Sequence, residues 1–177
     1  TIVGSILLAI LLLAIVLYLV NKYNDSDLLI YCNSIQIDKN STPINGVLKK
    51  ARYPQNCIVK WEAMLENLFR FGSLNGCSLL IPKKIFAQYE LLFNEDLRYA
   101  QDVLLWYLIF FNKSSLTYTD VVGVKSRVHG GQLTQRGREI FRKDCLTISN
   151  IIIPYFETAN NSRLLYYYLK KNHQTIS

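Results

Sequence analysis

The sequence predicts an α/β domain preceded by an apolar helix. Three patterns predict it. Ile2 to Val20 is a run of nineteen residues without a charge. Short apolar runs bounded by glycine, proline or Asn/Asp/Ser clusters have strand character. Between them lie stretches whose apolar residues recur at helical spacing, the plainest being Trp61, Met64, Leu65, Leu68 and Phe69.

The amino-terminal run is apolar on every side. At about 1.5 Å rise per residue, a helix of this length nearly matches a hydrocarbon core of roughly 30 Å. Tyr18 suits a membrane interface and Asn21-Lys22 a polar stop. A transmembrane helix over residues 1–22 is therefore expected, the competing reading being a strand and helix buried in the α/β core. No basic stretch precedes the run and no small-residue cleavage site closes it, which argues against a secretory signal. Lys22, Lys49 and Lys50 place the remainder on the cytoplasmic side.

The globular part follows over residues 23–150. Leu28 to Cys32 reads as one strand, and Ile35 and Ile37 as a second piece. Asp38-Lys39-Asn40-Ser41, closed by Pro43, is a turn. Residues 45–57, with Lys49, Lys50 and Arg52, read as a basic irregular loop. The helix of the Trp61 stripe ends at Gly72. Gly76 and Pro82 bound a strand from Cys77 to Ile81, and Lys83 to Tyr89 forms a short helix. Asp102 heads an uncharged helix containing Leu105, Trp106, Leu108, Ile109 and Phe111. An acid there is favoured by the unpaired N–H groups and the helix dipole, so a capping role is available to it. Leu116 to Val128 gives one or two strands, and Gln132 to Lys143 opens a basic helix that Pro154 is expected to end or kink. Residues 151–177 form a helical extension, with Leu164, Leu165, Tyr168 and Leu169 on one face.

Half of the 177 residues are hydrophobic, which excludes a disordered chain. The net charge of +7 suits an anionic partner: a phosphate-bearing substrate, a membrane surface or nucleic acid. No aromatic-basic motif supports nucleic acid, which is not expected as a partner. The four cysteines form no CxxC pair and there are only two histidines, so a structural zinc site is not expected and the thiols read as reduced.

Three segments, in this order, resemble the carboxy-terminal half of family-2 inverting glycosyltransferases of the GT-A fold. Asn75-Gly76-Cys77-Ser78-Leu79-Leu80-Ile81-Pro82-Lys83 is similar to the acceptor-side strand of that family. Leu92 to Trp106 is similar to its F-D-E-x-L-x-x-x-E-D-x-D-L-W segment, and Ser126-Arg127-Val128-His129-Gly130-Gly131-Gln132-Leu133-Thr134 to its Y-R-x-H-x-x-Q-x-S segment. The likeness covers residues 23–150 and implies a partial GT-A-like, Rossmann-like domain acting on a nucleotide-sugar donor and a saccharide or lipid-linked acceptor. By this resemblance Asp102 is the catalytic base, taking the proton of the acceptor hydroxyl during displacement at the anomeric carbon. Gly76, Cys77, Ser78 and Trp106 line the acceptor side; Trp106 has the competing role of a core residue. Arg127 and His129 stand near the diphosphate or its metal, the competing reading for His129 being a loop histidine. Gln101 replaces the usual Glu before the base, removing a charge but leaving the base in place.

The family also carries an upstream nucleotide-binding half that ends in an acidic metal-binding motif. The residues before Tyr23 contain no acid, and Asp25-Ser26-Asp27 lies beside the matched strand rather than before a helix. A divalent metal, Mg or Mn, is implied by resemblance alone. The expectation is thus a membrane-associated glycosyltransferase, or a piece of one needing a separate nucleotide-binding half. The competing functions are a membrane-anchored binding module that does not catalyse, and a small integral-membrane protein of unrelated type.

Overall fold

A computed structural model describes residues 10, 13–14, 17–18, 21, 28–49, 53, 57–72, 74–129, 137–159 and 161–176. Five strands form one mixed sheet: β1 (Leu29–Ile37), β2 (Pro43–Lys49), β3 (Ile58–Val59), β4 (Leu79–Leu80) and β5 (Leu116–Arg127). The order is β2-β1-β5-β3, with β4 also paired to β1. β1 and β5 are parallel and form the centre, from Leu29 opposite Leu116 to Ile37 opposite Arg127. The other pairings are antiparallel. Among the described residues from 28 onward, five α-helices accompany the sheet: α1 (Trp61–Phe71), α2 (Lys83–Gln88), α3 (Gln101–Phe111), α4 (Arg138–Ala159) and α5 (Ser162–Ile176). The arrangement is α/β and Rossmann-like, as the alternation of strand and helix patterns predicts.

The two strand pieces expected around Cys32 are one strand. Asn33 and Ser34 interrupt the apolar pattern but are buried within β1. β5 accommodates them by bulging: from Cys32 to Ser34 on β1 the partner runs from Thr119 to Val124. The Asn33 amide donates to the Asp120 carbonyl in that bulge at 3.2 Å, so the buried polar group is satisfied and the strand continues.

Two further expectations are corrected. The basic stretch after residue 45 is strand as far as Lys49, not loop. The Asp38 carboxylate accepts the Asn40 and Thr42 amides, both at 2.8 Å, and turns the chain so that Lys49 pairs with Ser34 on β1. A lysine-bearing strand at a sheet edge is also unattractive to other strands. The strand expected from Cys77 to Ile81 is a 3₁₀ turn, Gly76–Ser78, and then only two strand residues. The Asn75 side-chain oxygen accepts the Cys77 amide at 3.1 Å and diverts the backbone into the turn.

The helices bury one aromatic cluster. The ring of Phe69 lies 5.1 Å from Tyr107, 5.5 Å from Phe156 and 5.3 Å from Tyr168, centroid to centroid. Such pairs add about 0.5–1.5 kcal/mol each beyond their buried area. These rings come from α1, α3, α4 and α5, so α5 and the end of α4 share the core, and the boundary expected at 150/151 falls inside α4. Pro154 does not end α4. Its missing N–H costs about 3 kcal/mol in a helix interior. Burial of Ile152 and Phe156 on either side offsets it, at about 1.5–3 kcal/mol per side chain.

The expected membrane span falls mostly outside the described residues. Its described positions, Ile10, Leu13, Ala14, Leu17, Tyr18 and Asn21, are helical and exposed. Among the described residues no helix is long and apolar enough to cross a membrane, which does not fit the transmembrane expectation.

Candidate functional site

Asp102 lies in the first turn of α3, after an N-terminal cap at Ala100 that offers no side-chain acceptor. It is not a capping acid in the usual sense. Its Oδ1 accepts the amide of the next residue, Val103, at 2.9 Å, which fixes the carboxylate without using Oδ2 in that bond. Burial pushes its pKa above the ordinary carboxylate value, opposed by the Val103 amide and its own. A carboxylate so poised takes a proton more readily than one in water.

Gly76 faces this carboxylate. A Cβ placed on Gly76 would stand 3.4 Å from Trp106 Cζ2 and 4.0 Å from Asp102 Oδ2. Asp102 and Trp106 are one helical turn apart on α3, so a single helix face presents both to the 3₁₀ turn. Ser78 closes the turn beneath them, buried, while Cys77 is exposed. Among the described residues neither the Ser78 hydroxyl nor the Trp106 indole N–H has an oxygen or nitrogen hydrogen-bond partner. The Cys32 thiol lies beside Ser78, and burial pushes its pKa up against the pull of the Gly123 backbone and the Ser78 hydroxyl. An unsatisfied buried donor costs about 1–3 kcal/mol, so the Trp106 N–H marks this corner as unfinished without a further polar group.

The start of α3 is held from a distance. Asp144 on α4 is buried, and its Oδ2 accepts three backbone amides: Arg98 at 3.1 Å, Tyr99 at 2.6 Å and Ala100 at 3.0 Å. Gly137, just before α4, packs against the Tyr99 ring so closely that a Cβ there would lie 2.5 Å from Cε1. The loop that delivers Asp102 is thereby fastened to α4. Gln101, in place of an acid, turns its amide back to the Leu97 carbonyl.

Arg127 and His129 lie elsewhere. Arg127 is opposite Ile37, five residues along β1 from Cys32, or about 16 Å at ~3.3 Å per residue. Its guanidinium donates to the carbonyls of Asp38 (2.6 Å) and Lys39 (2.7 Å) and to the Ser41 hydroxyl (3.0 Å). His129 is exposed just beyond the end of β5. The structure thus brings together Asp102, Gly76, Ser78 and Trp106, with Cys77 at the rim, and leaves Arg127 on the β1–β2 hairpin. Gly130 to Thr134, the rest of the segment that resembles the family, lie outside the described residues, as do Asp25 and Asp27. Among the described residues no group of three His, Cys, Asp or Glu side chains could hold a metal ion.

Asp144 and Lys171 escaped the sequence reading. Lys171 lies within the helical core with its Nζ donating to the Leu68 carbonyl at 2.8 Å. The Asp144 signal was present: it stands three residues after Phe141 and four before Ile148, on the inward side of α4. Its neighbours Arg142 and Lys143 hid it within a basic stretch.

No family model matches the chain, and no solved structure matches it. Sequence relatives do. The chain is 33% identical over 117 residues to a protein of Rickettsia prowazekii named an uncharacterized glycosyltransferase, covering 66% of this chain and 35% of that protein. A protein of the same description from Rickettsia typhi matches at 33% over the same shares. One from Rickettsia conorii is 32% identical over 64% of this chain and 18% of its own length. The match spans about a third or less of the curated relatives.

Proposed function

We propose that the chain is the acceptor-side part of a glycosyltransferase of the family-2, GT-A type, with Asp102 as general base. The observation that carries this is the meeting of the half-buried Asp102 carboxylate with Gly76 and Trp106, whose buried indole N–H has no partner among the described residues. Likeness to proteins named glycosyltransferases supports the same reading. In the proposed step an acceptor hydroxyl enters over Gly76, where the missing side chain leaves room. Its oxygen forms a bond to the anomeric carbon of a nucleotide-sugar as its proton passes to Asp102. The bond from that carbon to the diphosphate breaks, the nucleoside diphosphate leaves with the electron pair, and the configuration inverts. The Ser78 and Trp106 donors orient the acceptor. Arg127 and His129 would act on the departing diphosphate after Arg127 leaves the hairpin carbonyls. The apolar run at 2–20 and the exposed Phe141, Lys143 and Leu146 of α4 support a place at the cytoplasmic face of a membrane.

Removing a general base costs typically 10²–10⁴-fold in rate. Nucleotide-sugar turnover by the protein with an acceptor glycan should fall in that range in Asp102→Asn, with acceptor binding retained. Wild-type turnover in the variant would sink the assignment. The second reading is a membrane-anchored binding module, derived from such an enzyme, that does not catalyse. Acceptor binding by the wild-type protein without turnover would select it.

A further inference from the structure

The C-terminal end of α1 and the outer side of α5 meet in a patch that the corner around Asp102 does not use. Phe71 (49% exposed), Tyr166 (57%) and Leu169 (52%) stand open there. Large apolar side chains normally reach a surface singly, and a group of them marks a place of contact. Tyr166, Leu169 and Lys170 follow at i, i+3 and i+4, so one face of α5 presents all three. Between the two helices lies a hollow of about 270 Å³ lined by Phe69, Arg70, Phe71, Tyr167, Lys170 and Lys171.

Cations rim this hollow. The Arg70 guanidinium lies 5.0 Å from the centre of the Phe71 ring and 5.1 Å from that of Tyr167, and the Lys170 ammonium lies 6.0 Å from that of Tyr166. Such contacts hold a cation over a ring without neutralising it. Among the described residues, the acid paired with these cations is Glu66, whose Oε1 is shared by Arg70 at 3.0 Å and Arg163 at 3.1 Å. One carboxylate between two guanidiniums, with Lys170 nearby, leaves the patch positive. Arg70 meets Glu66 through Nη1, and a guanidinium carries further donors on Nη2 and Nε. Lys171 forms the inner wall, but its ammonium is engaged within the core and is not needed here.

Aromatic rings beside cations on long apolar stems are the composition of a protein face at a lipid interface. The net charge of +7 draws the chain to the negative surface of an anionic bilayer. We propose that this face docks on an anionic phospholipid surface. A headgroup phosphate sits in the hollow between Arg70 and Lys170, and Phe71, Tyr166 and Leu169 lie among the headgroups and upper acyl chains. Gly72 and Lys171, next in sequence to Phe71 and Lys170, also border a cavity whose wall includes Asp102 and Phe141. The docked face is therefore beside Asp102, and a lipid-linked acceptor reaches the acid from the membrane side. That consequence rests on the reading of Asp102 as the base; the docking does not.

Flotation of the full chain with vesicles of phosphatidylcholine, with and without phosphatidylserine, tests the docking. The ratio of the two affinities is the readout, because whatever residues 2–20 contribute is common to every variant. Lys170→Gln should lower the ratio about fivefold, and Arg70→Gln added to it should lower it further. High salt should bring the wild-type ratio toward one. Lys39→Gln with Lys125→Gln removes the same charge from exposed positions at the β1–β2 turn and on β5, and should change the ratio less than about twofold. Brominated phospholipid should quench the added fluorescence of Tyr166→Trp and not that of Lys39→Trp. An unchanged ratio in the Arg70/Lys170 variants, an equal loss in the Lys39/Lys125 pair, or equal quenching of the two added tryptophans would each overturn the docking. Arg70→Gln also breaks the Glu66 pair, so Lys170→Gln alone and the quenching measurement keep the test usable should the double variant not fold. Asp102→Asn should bind vesicles as wild type does. Docking that fails while turnover still depends on Asp102 overturns this proposal alone, whereas normal turnover by a docked Asp102→Asn overturns the base instead.

Discussion

At the Asp102 corner the polar groups are sheltered and incompletely used: a half-buried carboxylate, a buried hydroxyl and a buried indole N–H around a glycine. At the Arg127 corner the guanidinium is exposed and engaged by the chain itself, through two carbonyls and a hydroxyl of the β1–β2 hairpin. Both corners come from segments that resemble one family. The difference between them is spare hydrogen-bonding capacity, and it separates a place where a ligand group would complete the structure from one where a ligand must first displace it.

The contrast can be broken most forcefully through Asp144. Asp144→Ala removes the acceptor of three backbone amides, that of Ala100 buried and those of Arg98 and Tyr99 partly so, and should destabilise the protein by about 3 kcal/mol, read by urea denaturation. Asp144→Asn keeps an acceptor oxygen and should lose less. A loss below 1 kcal/mol for the alanine variant would mean that the Asp102 loop does not depend on α4. Gly123→Ala should cost about 1–3 kcal/mol, because its Cβ would lie 2.7 Å from Cys32 Sγ. In a Cys32→Ala background most of that penalty should vanish; additive losses would show that the bulge is not packed on the thiol. Arg127→Ala should cost only about 0.5–1 kcal/mol, as expected of exposed hydrogen bonds. Should turnover drop sharply with the melting temperature unchanged, the Arg127 corner would prove to serve the reaction after all.

The smallest effect sharpens the Asp102 side. Its folded pKa is raised by burial, so its contribution to stability is fully present below the unfolded value of 3.8 and is lost as the pH rises through the folded pKa. Asp102→Asn should therefore melt slightly higher than wild type at neutral pH. The gap should narrow as the pH falls through the carboxylate range, which melts at stepped pH will show. A variant less stable than wild type at pH 7 would make the carboxylate a structural group.

The α/β class, the α1 stripe from Met64 to Phe69, the hairpin turn at Asp38 and the place of Asp102 in the first turn of a helix were legible from spacing and turn chemistry. The 3₁₀ turn at Gly76 was not, because a single side-chain bond from Asn75 outweighs the strand preference of the apolar residues after it. The continuity of β1 through Asn33 depends on a carbonyl 87 residues away in sequence, beyond the reach of any local pattern. That α4 continues past Pro154 was hidden for a similar reason, since the local penalty is met by core burial that periodicity does not weigh. In the candidate site, the resemblance placed Asp102, Gly76 and Trp106 in one group. Nothing local indicated that Arg127 would turn to the hairpin or that Asp144 would reach back to residue 100.

The Asp144 clamp also bears on how the chain comes off the ribosome. The nearest of the amides it holds lies 44 residues earlier, so Asp102 is synthesised well before the group that sets its helix. At about 5–20 residues per second that interval is roughly 2–9 s, long compared with helix formation. Through it, α3 can form and bury its apolar face, but its first turn has no buried acceptor to anchor it. The acid is therefore made early and set in place late, and premature arrest of translation before residue 144 leaves a chain with the acid but without its anchor.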